Sequence, residues 1–408
     1  MNHISERKKV DFEWFLILIT FVMSIFVPVI GLEVLTFSVL GVLMFLLYIL
    51  KKQYIISIKW SMYHTYMSLF LIFIYFSSFW ALHREYTIGR GNTMLITTLI
   101  MIIISLCFSE EKSVDALLKI AMWGGYIISI IGIFYYGPQN VLGFIREGSR
   151  LTIMDTFLNI NDLGMCATYA VIINIYFLLN GEKKLYSLLS IPALLITVAS
   201  GSRKAIAVLV LGVASIYILK NNKVRNVKLR LLKICFSIVL LAIVLFAASR
   251  LAVFAGIVDR IHLTVNGILT GQNSDYSTLT RLNLIVIGQQ IFREHPILGI
   301  GINNAQFIVE GIYHRQNYYL HNNYIELLAD GGIIGFCIYY WIFFYLVIAF
   351  IKERHFSDLE FDICFILLVI HLIMDIGSVS FLNRTTYFYL LLFCIELRLI
   401  RQKKRTSM

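Results

Sequence analysis

The feature that most constrains this chain is the length of its uncharged apolar runs. Met94 to Phe108 and Ile234 to Ala248 each pass without a charged residue, and similar runs recur from end to end. A helix needs roughly 20 residues to cross about 30 Å of hydrocarbon, and in lipid every backbone group must be paired within the segment. Only helices and closed barrels meet that condition, and a transmembrane barrel would show short alternating segments instead. Composition agrees: 59% of the 408 residues are hydrophobic and 14% charged, against about 25% charged in a soluble domain. Four prolines in the whole chain suit long helices. The sequence therefore reads as an all-α polytopic integral membrane protein, a single membrane domain over residues 1–408.

About twelve transmembrane helices are expected. They fall near 14–32, 34–50, 62–82, 93–108, 114–136, 161–180, 185–200, 203–219, 230–249, 323–350, 361–379 and 384–400. The seventh and eighth divide at Ser200-Gly201-Ser202-Arg203-Lys204. The first run lacks a small-residue cleavage site and reads as a retained span. The six cysteines, Cys107, Cys166, Cys235, Cys337, Cys364 and Cys394, lie in or beside apolar runs with no CxxC pair. They read as small buried hydrophobes, with neither a zinc site nor a disulfide framework.

Loop charge sets orientation. Basic clusters occur at Arg7-Lys8-Lys9, Lys51-Lys52, Lys183-Lys184, Lys220 to Lys233, Lys352 to Arg354 and Arg398 to Arg405. Twelve spans put all of these on one side with both termini, and that side is the cytoplasm. The other side has almost no lysine, Lys204 being the exception, yet it keeps many arginines, among them Arg84, Arg90, Arg150, Arg203, Arg281, Arg293 and Arg384. Topology alone should deplete both residue types together. Arginine without lysine points to a chemical use for guanidinium, which grips phosphate bidentately. The net charge of +11 thus has a cytoplasmic part that anchors topology against anionic lipid and an external part suited to an anionic substrate. No compact basic soluble domain exists, so no nucleic-acid partner is expected.

The longest non-spanning stretch, residues 250–322, is a large extracytoplasmic loop between spans nine and ten, and long loops tend to carry function. A helix is expected over Arg281 to His295, capped by Thr278 or Thr280 and stopped by Pro296. Leu282, Ile285, Val286, Gln289 and Phe292 lie on or near one face of it, as expected of a helix along the membrane interface or over the bundle. Leu298-Gly299-Ile300-Gly301 is a lone GxG and reads as turn chemistry. Beyond it come Tyr318-Tyr319-Leu320-His321-Asn322 and then Glu326, Asp330, Gly331, Gly332 and Gly335. Asn322, Glu326 and Asp330, four apart, form a polar stripe at the outer end of the tenth span, and such stripes face a bundle interior or a wet cavity. His371 and Asp375 share a face of the eleventh span.

Three local patterns resemble the O-antigen ligase and polymerase family, the Wzy- and WaaL-like membrane glycosyltransferases. They are Gly201-Ser202-Arg203, then Arg281 with its helix and His295-Pro296-Ile297-Leu298-Gly299-Ile300-Gly301, then Leu320-His321-Asn322 through Glu326 to Gly331 and Gly335. A weaker fourth is Arg150 followed by Asn159-Ile160-Asn161-Asp162-Leu163-Gly164, where the family more often has proline between the asparagines. The patterns cover about a third of the chain.

The resemblance implies a GT-C-like, metal-independent glycosyltransferase without cofactors. Its donor would be a glycan on undecaprenyl pyrophosphate at the outer face of the bacterial cytoplasmic (inner) membrane. No carboxylate pair of the DxD kind is present, so arginines take the place of Mg²⁺. Arg203 and Arg281 are expected to grip the pyrophosphate, with Arg150 and Arg293 as further candidates. His321 is the expected acid/base residue, giving inversion at the anomeric carbon; Glu326 and Asp330 orient it or act as base themselves. A repeat-unit polymerase for O-antigen or capsule fits the Ile- and Lys-rich composition, which suggests an AT-rich genome compatible with capsule producers. The partners would then be membrane lipids, the lipid-linked oligosaccharide and a chain-length regulator protein. The alternatives are a ligase that moves glycan to lipid A-core and, from another class, a lipid-linked oligosaccharide flippase or transporter.

Overall fold

The computed structural model describes residues 14, 16–22, 41–42, 61–107, 113–147, 160–181, 188–221, 276–314, 318–353 and 359–407. Most of the spans expected at 14–32 and 34–50, the whole of 230–249, Arg150 and loop residues 250–275 lie outside them. Among the described residues the regular structure is helical. In chain order the helices are α1 (Met62–Ser77), α2 (Arg84–Cys107), α3 (Ser113–Tyr136), α4 (Pro138–Glu147), α5 (Ile160–Leu179), α6 (Ile191–Ala199), α7 (Arg203–Asn221), α8 (Tyr276–Glu294), α9 (Asn304–Tyr313), α10 (Asn323–Glu353), α11 (Leu359–Met374) and α12 (Arg384–Ser407). Four of them, α2, α3, α5 and α10, are long and apolar enough to cross a membrane.

Several boundaries differ from the sequence reading, for local reasons. α2 starts at Arg84 rather than near 93, which places Arg84 and Arg90 on the helix. α6 has nine residues, a length of about 14 Å at 1.5 Å per residue, too short to cross alone. α7 does begin at Arg203, after Gly201 adopts a left-handed conformation with φ 56°. α8 begins at Tyr276, so Thr278 and Thr280 lie inside it rather than capping it.

The main core is apolar and aromatic, with Tyr66, Met67, Phe70, Ile128, Ala167, Ile173, Tyr339, Phe343 and Leu390 buried together. α12 runs among α1, α2, α3, α10 and α11, and α5 packs on α3, α6 and α7. Small residues permit the closest approaches. A Cβ on Gly164 of α5 would meet Ser200 Oγ at 2.5 Å, and one on Gly335 of α10 would meet Phe73 of α1 at 2.7 Å. Away from the loop end, Glu353 at the end of α10 pairs with Lys404 at 2.9 Å and Arg401 at 3.7 Å on α12.

The decisive irregularity is in α10, where Gly332 has φ 58° and ψ −162°. In an unbroken helix the N–H groups of residues 333 and 334 would donate to the carbonyls of 329 and 330. Here they donate to Pro296 (2.9 Å) and Ile297 (3.2 Å), while the carbonyls of Ala329 and Asp330 accept from Ile300 (3.1 Å) and Gly301 (2.9 Å). Residues 296–301 thus take up four of the groups at the break. The approach is too close for side chains. A Cβ on Gly299 (φ 65°) would fall on the Asp330 carbonyl, and one on Gly332 would fall on the Ile297 carbonyl. The lone GxG is therefore a backbone dock.

The bend is sharp. Asn323 Nδ2 donates to Tyr340 Oη at 2.7 Å, whereas a straight helix would hold their Cα atoms about 25 Å apart. The short arm 323–331 folds against the rest. Under it lies a second core of Leu284, Ile291, Ile300, Ala305, Val309, Leu320 and Ala329, which joins α8 and α9 to this arm.

Substitution G299A or G332A should abolish folded protein, since each puts a Cβ onto backbone at positive φ, a cost of more than about 3 kcal/mol. G311A, on an open helical position of α9, should fold with a melting temperature equal to or above wild type. Yield of monodisperse protein in detergent and its thermal melt report the difference.

Candidate functional site

His321 sits on the turn that leads into α10, with φ 57°. A left-handed conformation costs an L-residue roughly 1–2 kcal/mol, so the surroundings must enforce it. Before it, the Leu320 N–H donates to Glu326 Oε2 at 2.7 Å. After it, Asn322 Oδ1 accepts from the Ile325 N–H at 3.0 Å and caps the helix. Next, the Asn323 N–H donates to the Asp375 carbonyl at 2.8 Å. The Asn323 side chain accepts from the Ser380 and Phe381 N–H groups (2.8 and 3.1 Å) and donates to Tyr340 and to Asp375 Oδ2 (3.3 Å). Tyr340 Oη also donates to Asp375 Oδ2, at 2.7 Å. Strain held in place by such a hydrogen-bonded frame is characteristic of functional positions. The imidazole itself meets Tyr319 and Tyr318, with ring centroids 4.4 and 5.5 Å away.

Arg281 reaches this turn because of helix periodicity. Arg281, Leu284, Gly288 and Ile291 share one face of α8. Leu284 and Ile291 are buried, and a Cβ on Gly288 would strike Ile325 and Leu320. α8 packs through this face, while Leu282 and Val286, on the face expected at the membrane interface or over the bundle, are exposed. Arg203 and Lys204 open α7, after Ser202 Oγ accepts the Ala205 N–H at 3.4 Å. Two cations against the positive end of a helix dipole are each unfavourable by about 0.3–1 kcal/mol unless an anion joins them.

Electrostatics ties these groups together. Burial, then the Arg281 charge, then the Lys204 charge hold the His321 imidazole down at about 4, so it is neutral at pH 7. The charges of Arg281, Asp162 and Arg203 act in turn on Lys204. Asp162, Glu326 and Arg281 act on the partly buried Tyr319 phenol. The expected residues Arg203, Arg281, His321 and Glu326 therefore lie in one neighbourhood. Lys204, Asp162 and Tyr319 join them, though the sequence reading gave them no role. A signal for Lys204 existed: it is the exceptional lysine on an arginine face.

Other expected residues stand apart. Arg293 is exposed, about 18 Å along α8 from Arg281 at 1.5 Å per residue. Asp330 is buried, and its carboxylate accepts from the N–H groups of Asn303 (2.8 Å), Asn304 (3.0 Å) and Ala305 (2.7 Å), at the start of α9. His295 is exposed, and its carbonyl accepts the Gly299 N–H. His371 Nε2 lies 3.9 Å from Asp375 Oδ1, beneath the Asn323 frame. Among the described residues no group of three His, Cys, Asp or Glu side chains is arranged to hold a metal ion.

Residues 187–340 match the family model described as O-antigen ligase. The match runs from just before α6 into the long arm of α10, and it includes every expected site residue except Arg150. It bears out the resemblance read from the sequence. With the four apolar helices, it supports a membrane protein of the glycosyltransferase kind that the O-antigen ligases represent. No curated protein matches the chain.

D330N should destabilise the protein by about 1–3 kcal/mol, because an amide must turn its own N–H groups toward backbone donors. A thermal melt that matches wild type would contradict the bonding described for Asp330.

Proposed function

We propose that the protein is a polysaccharide repeat-unit polymerase. It would transfer a growing glycan from undecaprenyl pyrophosphate to the next lipid-linked repeat at the outer face of the cytoplasmic membrane. The observation that carries this reading is the gathering of Arg203 and Arg281 with a neutral His321 at one end of the bundle. In the transfer, His321 takes the proton of the acceptor hydroxyl as its oxygen attacks the anomeric carbon. The anomeric C–O bond breaks and the lipid pyrophosphate leaves with the electron pair. Arg203 and Arg281 offset its charge in a site of low dielectric. Attack opposite the leaving group inverts the anomeric centre, and no metal takes part. Arg150 remains a further candidate for the pyrophosphate. Arg293 belongs to no common grip with Arg281.

Glu326 and Asp330 act in this scheme as positioning residues, one on the His321 turn and one on the α9 start. The reading includes about twelve spans of GT-C-like architecture and the loop 250–322 outside. Both termini are cytoplasmic, in keeping with the basic residues around Glu353. A chain-length regulator is the expected protein partner. A ligase that uses lipid A-core as acceptor would share this chemistry and differ only in acceptor. A flippase should place its cations deep within a central cavity, and the grouping at one end speaks against it.

In a polymerase, R281A or H321A at normal membrane levels should leave single repeats on the cell surface. In a ligase, full-length glycan would stay on the carrier. Normal polymer in either variant would remove that residue from the mechanism. E326Q keeps an acceptor for the Leu320 N–H and should retain most turnover; loss equal to that of H321A would make Glu326 the base instead.

The pH profile gives a further check. His321 works as the neutral base, so activity is lost as pH falls through its pKa. For free enzyme that is about 4, and kcat/KM should stay level down to that region. Bound pyrophosphate offsets Arg281 and Lys204, so the acid limb of kcat should lie at higher pH than that of kcat/KM. An acid limb of kcat/KM at the ordinary 6.5 would contradict both the burial of the base and the influence of the cations on it.

A further inference from the structure

Lys204 is half-buried, and among the described residues nothing accepts a hydrogen bond from its ammonium. Asp162 acts on it only from beyond ion-pair distance, and the nearby charges of Arg281 and Arg203 oppose it. A sequestered cation without an acceptor is costly. Packing nevertheless fixes this side chain. A Cβ on Gly377, in the turn after α11, would lie 3.1 Å from Lys204 Cε and 3.5 Å from Nζ. The stem is therefore confined between the start of α7 and that turn, and the head lies within electrostatic reach of Arg281 and His321. Nothing in the fold requires a charge there, and a methionine would fill the same space.

We propose that Lys204 is a third cation of the anion site and contacts the second phosphate of a lipid diphosphate, so that the site prefers diphosphate to monophosphate. The proposal rests on the reading of Arg203 and Arg281 as a pyrophosphate grip. It adds what that reading lacks, a residue that counts phosphates. A flexible ammonium with three donors suits this task, since it follows the distal phosphate as a point charge while the guanidiniums hold the other in a fixed fork. The same ammonium could instead hold an anionic phospholipid headgroup, and the experiment separates the two.

The full chain is placed in phosphatidylcholine nanodiscs, and Lys204 is labelled with a small amine-directed reagent read by peptide mass spectrometry. Undecaprenyl diphosphate should protect Lys204, whereas undecaprenyl monophosphate or added phosphatidylglycerol should protect it far less. In binding measurements K204M should weaken undecaprenyl diphosphate about tenfold or more and leave the monophosphate nearly unchanged. K204R should recover much of the preference, and a fold defect would weaken both ligands alike. Unchanged labelling with diphosphate present, while R281A loses diphosphate binding, overturns the role of Lys204 alone. Equal protection by phosphatidylglycerol overturns it in favour of a headgroup anchor. Diphosphate binding that neither R203A nor R281A weakens overturns the underlying grip itself. Because labelling uses wild-type protein, the conclusion stands even if K204M fails to fold.

Discussion

The end of this protein that carries His321 depends on an exchange of four backbone hydrogen bonds. At Gly332 the α10 helix gives up two of its own bonds, and the segment 296–301 replaces them with two donors and two acceptors. In lipid, an unpaired peptide group costs several kcal/mol, so irregular backbone at membrane depth must be buried in protein and satisfied there. The exchange meets that demand and fixes three things at once. It bends α10 so that Asn323 returns to Tyr340. It places Asp330 beside the start of α9. It draws the end of α8, and with it Arg281, onto the short arm that His321 precedes.

Charge distribution within the neighbourhood follows a second constraint. Burial, Arg281 and Lys204 together suppress the basicity of His321, and Arg203 bears on Lys204. Hydrogen bonds engage the buried carboxylates Glu326 and Asp330 in holding backbone. Asp162 is left as the acid that bears on Lys204 without pairing with it. Around the His321 turn, cationic side chains therefore outnumber the acids that bear on them. Such a surplus is the arrangement that the proposed anion site requires.

Much of this was legible in the sequence, because the strongest signals there are local. Apolar runs mark α3, α5 and α10 closely, and Gly201-Ser202-Arg203 marks the break between α6 and α7. Arg203, Arg281 and His321 stood out as polar residues outside the apolar pattern. What escaped was non-local. The GxG read as a turn because nothing within ten residues of Gly299 reveals that Asp330 and Gly331 will lie against it. The stripe of Asn322, Glu326 and Asp330 suggested one continuous helix facing a cavity, and only the partners of Asp330 show it serving α9. Lys204 stood apart by type but not by partner, since Asp162 and Gly377 lie far from it in sequence.

The turn between α1 and α2 shares in the same construction. Ile302 donates to Ser77 (3.2 Å), Leu82 to the Ile300 carbonyl (3.1 Å) and His83 to Asn304 Oδ1 (2.6 Å), while Thr87 reaches the Ile302 carbonyl (2.8 Å). These partners lie more than 200 residues apart in the chain. During synthesis, therefore, the first described helices enter the membrane with polar groups whose partners do not yet exist. The end of α1 near Ser77 must wait, wet or provisionally bonded, until the segment before α10 has been made. Chain order acts as a clock: these bonds close late, and any product that ends before residue 300 lacks them.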